Sequence, residues 1–255
     1  PDLANTPRSF MTHNFIHAFV MNSIGITTLI PDGIPFSTLA QTDPTIVLKC
    51  FHQFKPQFAL FSPIVWIRIV EFMQEQNSKN EKKYLFPSSL ILACTGGAPI
   101  PIKYHSTIPE LSENPQLTQL FTPYGATECL PLCVIGSGEL ADTGSIDRIR
   151  QGYGVCVGLP CKGIQVEIDH TVFGDHESQV YRDDASIKFG EIVVTGPSVS
   201  RQYKYNDEAN RDFKIKRDNN VIWHRTGDMG HVDKTGRVWY SGRKVQCVFV
   251  NNCVV

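Results

Sequence analysis

Phe121-Thr122-Pro123-Tyr124-Gly125-Ala126-Thr127-Glu128 packs an aromatic ring, a glycine, a hydroxyl and a carboxylate into a few residues behind a short run, Leu117 to Phe121, that reads as a strand. Tyr124 offers a flat face on which a ring can stack. Gly125 lets the backbone approach a ligand or adopt a positive φ. Thr127 can donate to an anionic oxygen, and Glu128 can hold a hard divalent cation. A flat ring, phosphates and Mg²⁺ together describe ATP. The competing local reading is a β-turn with an N-capping Thr127 ahead of a helix.

Working outward, the 255 residues fit one large domain or two small ones. With 42% hydrophobic and 19% charged residues the composition is that of an ordinary globular protein, which argues against disorder. A net charge of −1 without a basic block gives no reason to expect nucleic acid or an anionic membrane as partner. The eight cysteines lack CxxC pairs and zinc-ligand spacing, so they read as reduced thiols and imply a cytoplasmic protein. The most apolar run, Phe15 to Ile30, is too short for a membrane span and contains His17 and Asn22. No signal peptide is visible, and a chain that opens on Pro1 and stops at Val255 suggests a piece of something longer.

The N-terminal half predicts a helix over about 13–24 and a buried strand over about 26–30. His13 and His17 share a helix face, but without a third ligand the better reading is a pair of partly buried, hydrogen-bonded imidazoles. Asp43-Pro44 starts a helix to about Phe54, and Ser62-Pro63 starts the next, to about Gln76, by the same device of N-cap and first-turn proline. Ile64, Ile67, Val70 and Glu71 mark its spacing. Phe58 to Phe61 and Leu90 to Cys94 are strands, and the second ends in Thr95-Gly96-Gly97-Ala98-Pro99 before another helix. Alternating strands and helices with buried strands predict an α/β, doubly wound parallel sheet. Ligands on such sheets bind beyond the carboxyl ends of the strands, where both the Gly96 and the Tyr124 stretches would fall.

From about residue 150 short β-rich runs take over, at 155–158, 164–168, 190–194, 221–223, 230–232 and 237–240, with Asp233-Lys234-Thr235-Gly236 as a hairpin turn. A small antiparallel β subdomain is expected over 151–241, after an α/β subdomain over 1–150, with 242–255 as a hinge and tail. Gly152-Tyr153-Gly154 does not have the spacing of a dinucleotide fingerprint.

Three further pieces join the two loops: Gly190-Glu191-Ile192-Val193-Val194-Thr195-Gly196-Pro197 ahead of Arg201-Gln202-Tyr203, then Trp223-His224-Arg225-Thr226-Gly227-Asp228, then Tyr240-Ser241-Gly242-Arg243-Lys244. In this order the set resembles the AMP-forming adenylating enzymes, which include acyl-CoA synthetases, peptide-synthetase adenylation domains and luciferases. Thr28 to Asp32, the Phe121–Glu128 stretch with Leu130-Pro131, and Gly154 to Gly158 with Pro160 resemble in particular its olefin-pathway β-lactone synthetase branch.

The resemblance implies an ATP-dependent ligase that adenylates a fatty or β-hydroxy acid and releases pyrophosphate, leading to a β-lactone or, alternatively, to a CoA thioester. It implies ATP/AMP and Mg²⁺ as cofactors and a small-molecule acid as partner. Gly96, Gly97 and Ala98 would line the adenine pocket, with Tyr124 and Gly125 against the ring. Thr127 would contact phosphate and Glu128 would hold the metal, these two being the catalytic candidates. Asp228 would accept from both ribose hydroxyls, Arg243 would reach ribose or phosphate, and Lys244 would be the hinge to a C-terminal domain. Two family elements are not found: the Ser/Thr/Gly-rich phosphate loop, and that C-terminal domain with its catalytic lysine. A chain without them is expected to be weakly active or inactive alone. A different class of reading is a non-catalytic remnant that binds nucleotide or a partner; a hydrolase is disfavoured because no GxSxG elbow is present.

Overall fold

The computed structural model describes residues 9–35, 37–81, 83–173, 189–217 and 220–247, and the backbone of 249–250 and 253–254. It divides into two compact units, one of residues 1–122 with 136–138 and the other of 123–135 with 139–255. The chain passes from the first to the second inside one long strand.

The first unit is a parallel sheet with connecting helices. Its strands are β1 (Ser9–Thr12), β2 (Thr27–Leu29), β3 (Phe58–Phe61), β4 (Leu92–Thr95) and the first half of β5 (Gln119–Ala126), in the order β2-β1-β3-β4-β5. Every pair is parallel, for example Leu60 beside Cys94 and Ala93 beside Leu120. The connections are α1 (Phe15–Ser23), α2 (Pro44–Phe54), α3 (Pro63–Lys79) and α4 (Tyr104–Glu110). The mixed α/β class, a parallel sheet followed by antiparallel strands, is as the sequence predicts.

Local chemistry explains the starts of the helices. Asp43 caps α2 by accepting from the Thr45 N–H at 2.8 Å, with Pro44 in the first turn. The Ser62-Pro63 start is shared by α3, yet the Ser62 hydroxyl makes no capping bond; proline alone marks that boundary. The buried face of α3 is Val65, Trp66, Ile69, Val70 and Met73, whereas Ile64 is exposed. Of the spacing read from sequence, Val70 lies in the core and Ile67 packs at its margin.

The expected buried strand near residue 28 is instead the edge of this sheet, because β2 pairs only with β1, and its residues are exposed or half-buried. The interior position next to it belongs to β1, paired on both sides, where Phe10, Met11 and Thr12 are buried. On α1 Ala18 is buried, while Phe15, Ile16, Phe19 and Val20 are exposed, as is Ile24 just past its end. Burial lowers the pKa of both His13 and His17, and their Nδ1 atoms have no hydrogen-bond partner among the described residues, so the expected bonds are not formed. His13 instead stacks on the Phe61 ring at 6.0 Å.

The second unit is antiparallel. β6 (Cys129–Gly136) leads through the helices α5 (Ser137–Asp142) and α6 (Ser145–Arg150) to β7 (Val155–Pro160), its neighbour in the sheet. Next in spatial order come β12 (Val238–Arg243), β11 (Ile222–Val232), β9 (Gly190–Thr195) and β8 (Gln165–Asp169). The short β10 (Lys214–Lys216) pairs with β11 and follows α7 (Asp207–Phe213). The runs at 221–223 and 230–232 are the two ends of β11. The hairpin turn forms as expected, closed by Gly236 N–H donating to the Asp233 carbonyl at 2.9 Å.

β11 is not regular in its middle. Its register with β9 shifts between Arg225 and Met229, and its register with β12 shifts between Met229 and Gly230. Such irregularities re-aim a side chain without dissolving the strand. Asp228 sits in this interval. After Lys244 the exposed Val245 agrees with a weakly packed tail; Val248 and the side chains of Phe249, Val250 and Cys253 lie outside the described residues.

Candidate functional site

The site is built on the turn between β5 and β6. Thr127 and Glu128 form that turn, so no helix follows and Thr127 is not an N-cap. The strand persists through Pro123 because pairing with β4 ends at Cys94 beside Phe121, so no β4 carbonyl needs an N–H from Pro123. Gly125 is dictated by this turn: a Cβ there would lie 2.4 Å from the Cys129 carbonyl oxygen. Gly125→Ala is therefore expected to destabilise the second unit by about 1–3 kcal/mol, read as a lowered thermal midpoint. An unchanged midpoint would show that the turn yields freely.

Tyr124, Asp228 and Arg243 form one contact group. The Tyr124 hydroxyl donates to Asp228 Oδ2 at 2.6 Å. Arg243 Nη1 lies 3.1 Å from Asp228 Oδ1 as a charge contact, without the geometry of a hydrogen bond, and donates to the Thr226 carbonyl at 3.3 Å. Arg243 stands opposite Asp228 across the β11–β12 ladder, which explains why residues 15 positions apart meet. Tyr240 lies against the Tyr124 ring, with centroids 5.9 Å apart.

Burial drives the Asp228 carboxyl above its ordinary pKa, against the opposing pull of Tyr124 and Arg243. Burial, then the Asp228 charge, likewise raises the Tyr124 phenol well above its ordinary value. An acceptor oxygen turned away from water, in charge contact with an arginine, suits a ligand bearing paired hydroxyls.

Below Asp228 the irregular segment of β11 is held by Glu191, which is 1% exposed. Glu191 accepts from Arg225 Nη1 at 2.8 Å, from Lys244 Nζ at 3.0 Å and from the Gly227 N–H at 3.2 Å. The Asp228 N–H in turn donates to Thr226 Oγ1 at 3.1 Å. Side chains thus replace the ladder partners that the register shift removes.

Glu128 has its own setting. Tyr203 Oη donates to Glu128 Oε1 at 2.7 Å. Burial pushes the Glu128 carboxyl up, but the Tyr203 bond, its own backbone N–H and the charges of His224 and Lys214 outweigh burial and leave it below the ordinary carboxylate value. Thr127 beside it is exposed.

Of the residues singled out in the sequence, the second unit brings Tyr124, Asp228 and Arg243 together. It places Thr127 and Glu128 in one turn, and ties Lys244 to Glu191. Gly96, Gly97 and Ala98 belong to the first unit, in the loop that leaves the carboxyl end of β4, with Gly97 at φ +89° and exposed. Sequence reasoning assigned no role to Glu191, Tyr203, Lys214 or Tyr240. A glutamate inside the apolar run of β9 was the one available signal, since a charge there needs partners.

A divalent cation fits the donor set in a limited sense. No cluster of three or more His, Cys, Asp or Glu side chains suited to a metal occurs among the described residues. Mg²⁺ characteristically takes only one or two protein carboxylates and completes its shell with water and substrate phosphates, so an ionised Glu128 is a suitable single ligand.

Residues 3–204 match the AMP-binding enzyme family, and the chain belongs to that family. It is 32% identical over 234 residues to the olefin beta-lactone synthetase of Stenotrophomonas maltophilia, covering 89% of this chain and 39% of that protein. The olefin beta-lactone synthetase of Xanthomonas campestris is 30% identical over 233 residues, with the same coverage. The chain thus spans about two fifths of the length of these relatives. Among solved structures, the fold is similar to O-succinylbenzoate coenzyme A synthetase from Bacillus subtilis in complex with ATP and magnesium ion, with a TM-score of 0.68 and 17% identity over all of this chain and 46% of that one. A long-chain-fatty-acid-CoA ligase from Archaeoglobus fulgidus matches with a TM-score of 0.65 and 16% identity, over 92% of this chain and 44% of that one. No helix among the described residues is long and apolar enough to cross a membrane.

Proposed function

We propose that this chain is the nucleotide-binding part of an AMP-forming ligase that adenylates a fatty or β-hydroxy acid. The observation that carries the reading is the buried Asp228 carboxylate, oriented by Tyr124 at one oxygen and by Arg243 at the other. In the reaction a carboxylate oxygen of the acid bonds to the α-phosphorus of ATP, and the bond to the β-phosphate oxygen breaks, releasing pyrophosphate. Asp228 accepts from the ribose hydroxyls, Arg243 sits at the ribose or α-phosphate, Tyr124 lies along the adenine, and Thr127 donates to a phosphate oxygen. Gly96, Gly97 and Ala98 contribute backbone to adenine binding, and Gly125 supplies the tight turn next to Tyr124. Glu128 holds Mg²⁺, which when bound offsets phosphate charge.

The likeness to olefin beta-lactone synthetases supports a β-hydroxy acid as substrate. Its own hydroxyl then attacks the acyl carbonyl and expels AMP, closing a β-lactone; capture by CoA is the alternative second step. Lys244 acts as the hinge to a C-terminal domain of the whole enzyme.

The test is calorimetric titration of AMP into the chain and into Asp228→Ala. Loss of a charged acceptor is worth roughly 1.5–3 kcal/mol, so affinity is expected to fall about tenfold or more. Equal affinity in both would exclude Asp228 as the ribose ligand. A folded chain that binds no nucleotide would favour the non-catalytic reading.

A further inference from the structure

Tyr203 lies 75 residues from Glu128 in sequence, in a segment without regular structure, yet it is held from several sides. The Asn210 side chain of α7 clamps its backbone, accepting from the Tyr203 N–H at 2.6 Å and donating to its carbonyl at 2.8 Å. Phe213 and His224 meet its ring edge-on, each with centroids 6.4 Å away. Lys214 Nζ sits over the same ring at 5.0 Å and is itself anchored on the Ser200 carbonyl and hydroxyl at 2.7 and 2.9 Å. Ser200 closes the circuit by donating its N–H to the Glu128 carbonyl at 2.8 Å. A side chain fixed this thoroughly loses little further freedom when its hydroxyl makes one directed bond.

We propose that Tyr203 is a positioning residue for Glu128: its hydroxyl fixes Oε1, keeps the carboxylate in one rotamer and presents Oε2 to a divalent cation. This rests on the reading of Glu128 as metal ligand. A metal ligand held by a hydrogen bond from a neighbour is pre-oriented, and loss of such a neighbour weakens metal affinity about 10-fold or more. The bond also has a cost to Tyr203, whose phenol is pushed up to about 12 by burial first and Glu128 second. The hydroxyl therefore stays a donor across the neutral range, and Lys214 supplies positive charge nearby while its own hydrogen bonds go to Ser200.

Tyr203→Phe removes the hydroxyl and keeps the ring, and Tyr203→Leu removes both. Carbon-13 NMR of the glutamate carboxyls, with Glu128→Gln to assign the resonance, follows the Glu128 titration without any ligand. The expected result is an upward move of its midpoint in Tyr203→Phe, matched in Tyr203→Leu. A purely packing role predicts no move in the phenylalanine variant, and that result overturns the proposal. The second readout is Mn²⁺ loading in the presence of ATP, followed by water-proton relaxation. Tyr203→Phe is expected to raise the half-saturating Mn²⁺ concentration about tenfold. If Glu128→Gln raises it and Tyr203→Phe does not, the proposal alone falls. If Glu128→Gln leaves loading unchanged, the reading of Glu128 as metal ligand falls, and the proposal with it.

Discussion

Trp66→Ala is expected to lower the unfolding free energy of the first unit by about 3–5 kcal/mol, measured by urea denaturation. Trp66 is fully buried in α3 and sits among Phe61, Phe86 and Phe51, at centroid distances of 5.4, 5.7 and 6.3 Å. Its indole N–H donates to the Cys94 carbonyl of β4 at 2.8 Å, tying helix to sheet. Alanine would open a cavity that four different elements cannot close together, and would remove a bond to a buried carbonyl. Against a total stability of roughly 5–15 kcal/mol for an ordinary domain, such a loss is severe. Trp66→Phe should cost less, since a ring remains. A loss under about 1 kcal/mol for Trp66→Ala would show that the aromatic cluster is not the centre of this core.

The second large effect concerns acid. His105 in α4 is 6% exposed, and its Nδ1 has no hydrogen-bond partner among the described residues. Burial lowers its pKa from 6.5 to about 4. Above pH 6.5 the imidazole is neutral in both folded and unfolded chains, so its contribution to stability is fully present. Between about 6.5 and 4 the unfolded chain takes up a proton that the native protein refuses, and stability falls. The total loss is on the order of 3 kcal/mol once the pH is below both values.

His105→Met should therefore flatten the decline of stability between pH 6.5 and 4, whatever its effect at pH 8. Burial lowers the pKa values of His13, His17 and His224 as well, and those groups act in the same direction as the pH falls below 6.5. Carboxylates held low by their partners, Asp169 and Asp233 among them, lose their contributions at still lower pH. A stability curve for His105→Met parallel to that of the parent chain would sink the assignment.

Legibility in the sequence followed the range of the interaction. Asp43-Pro44 and Asp233 to Gly236 were readable because cap and turn chemistry lie within a few residues. The short β1 was not readable: Ser9 to Thr12 gives too few residues for a period, and only neighbours on both sides make it an interior strand. The continuation of β5 through Pro123 depended on where β4 stops pairing, which no local signal announces. In the candidate site, the stretches containing Tyr124, Glu128, Asp228 and Arg243 could be picked out by residue type and order. The use of Glu191 as a common acceptor for Arg225, Lys244 and Gly227 could not, because it follows from a register shift in β11. Tyr203 was visible as part of a motif, yet its contact with Glu128 needed the fold.

Arg243 and Lys244 are consecutive, and each reaches a different buried carboxylate, Asp228 and Glu191. In mechanical terms the chain leaves β12 through a two-point mooring. Tension applied beyond Lys244 would load the Lys244–Glu191 contact first, and then Arg243, the last rung of the β11–β12 ladder, together with its contact to Asp228. Both cationic side chains are partly open to water, so dissolved salt would soften these contacts more than the hydrogen-bonded strands behind them. Rising ionic strength should therefore loosen this exit more than the sheet behind it.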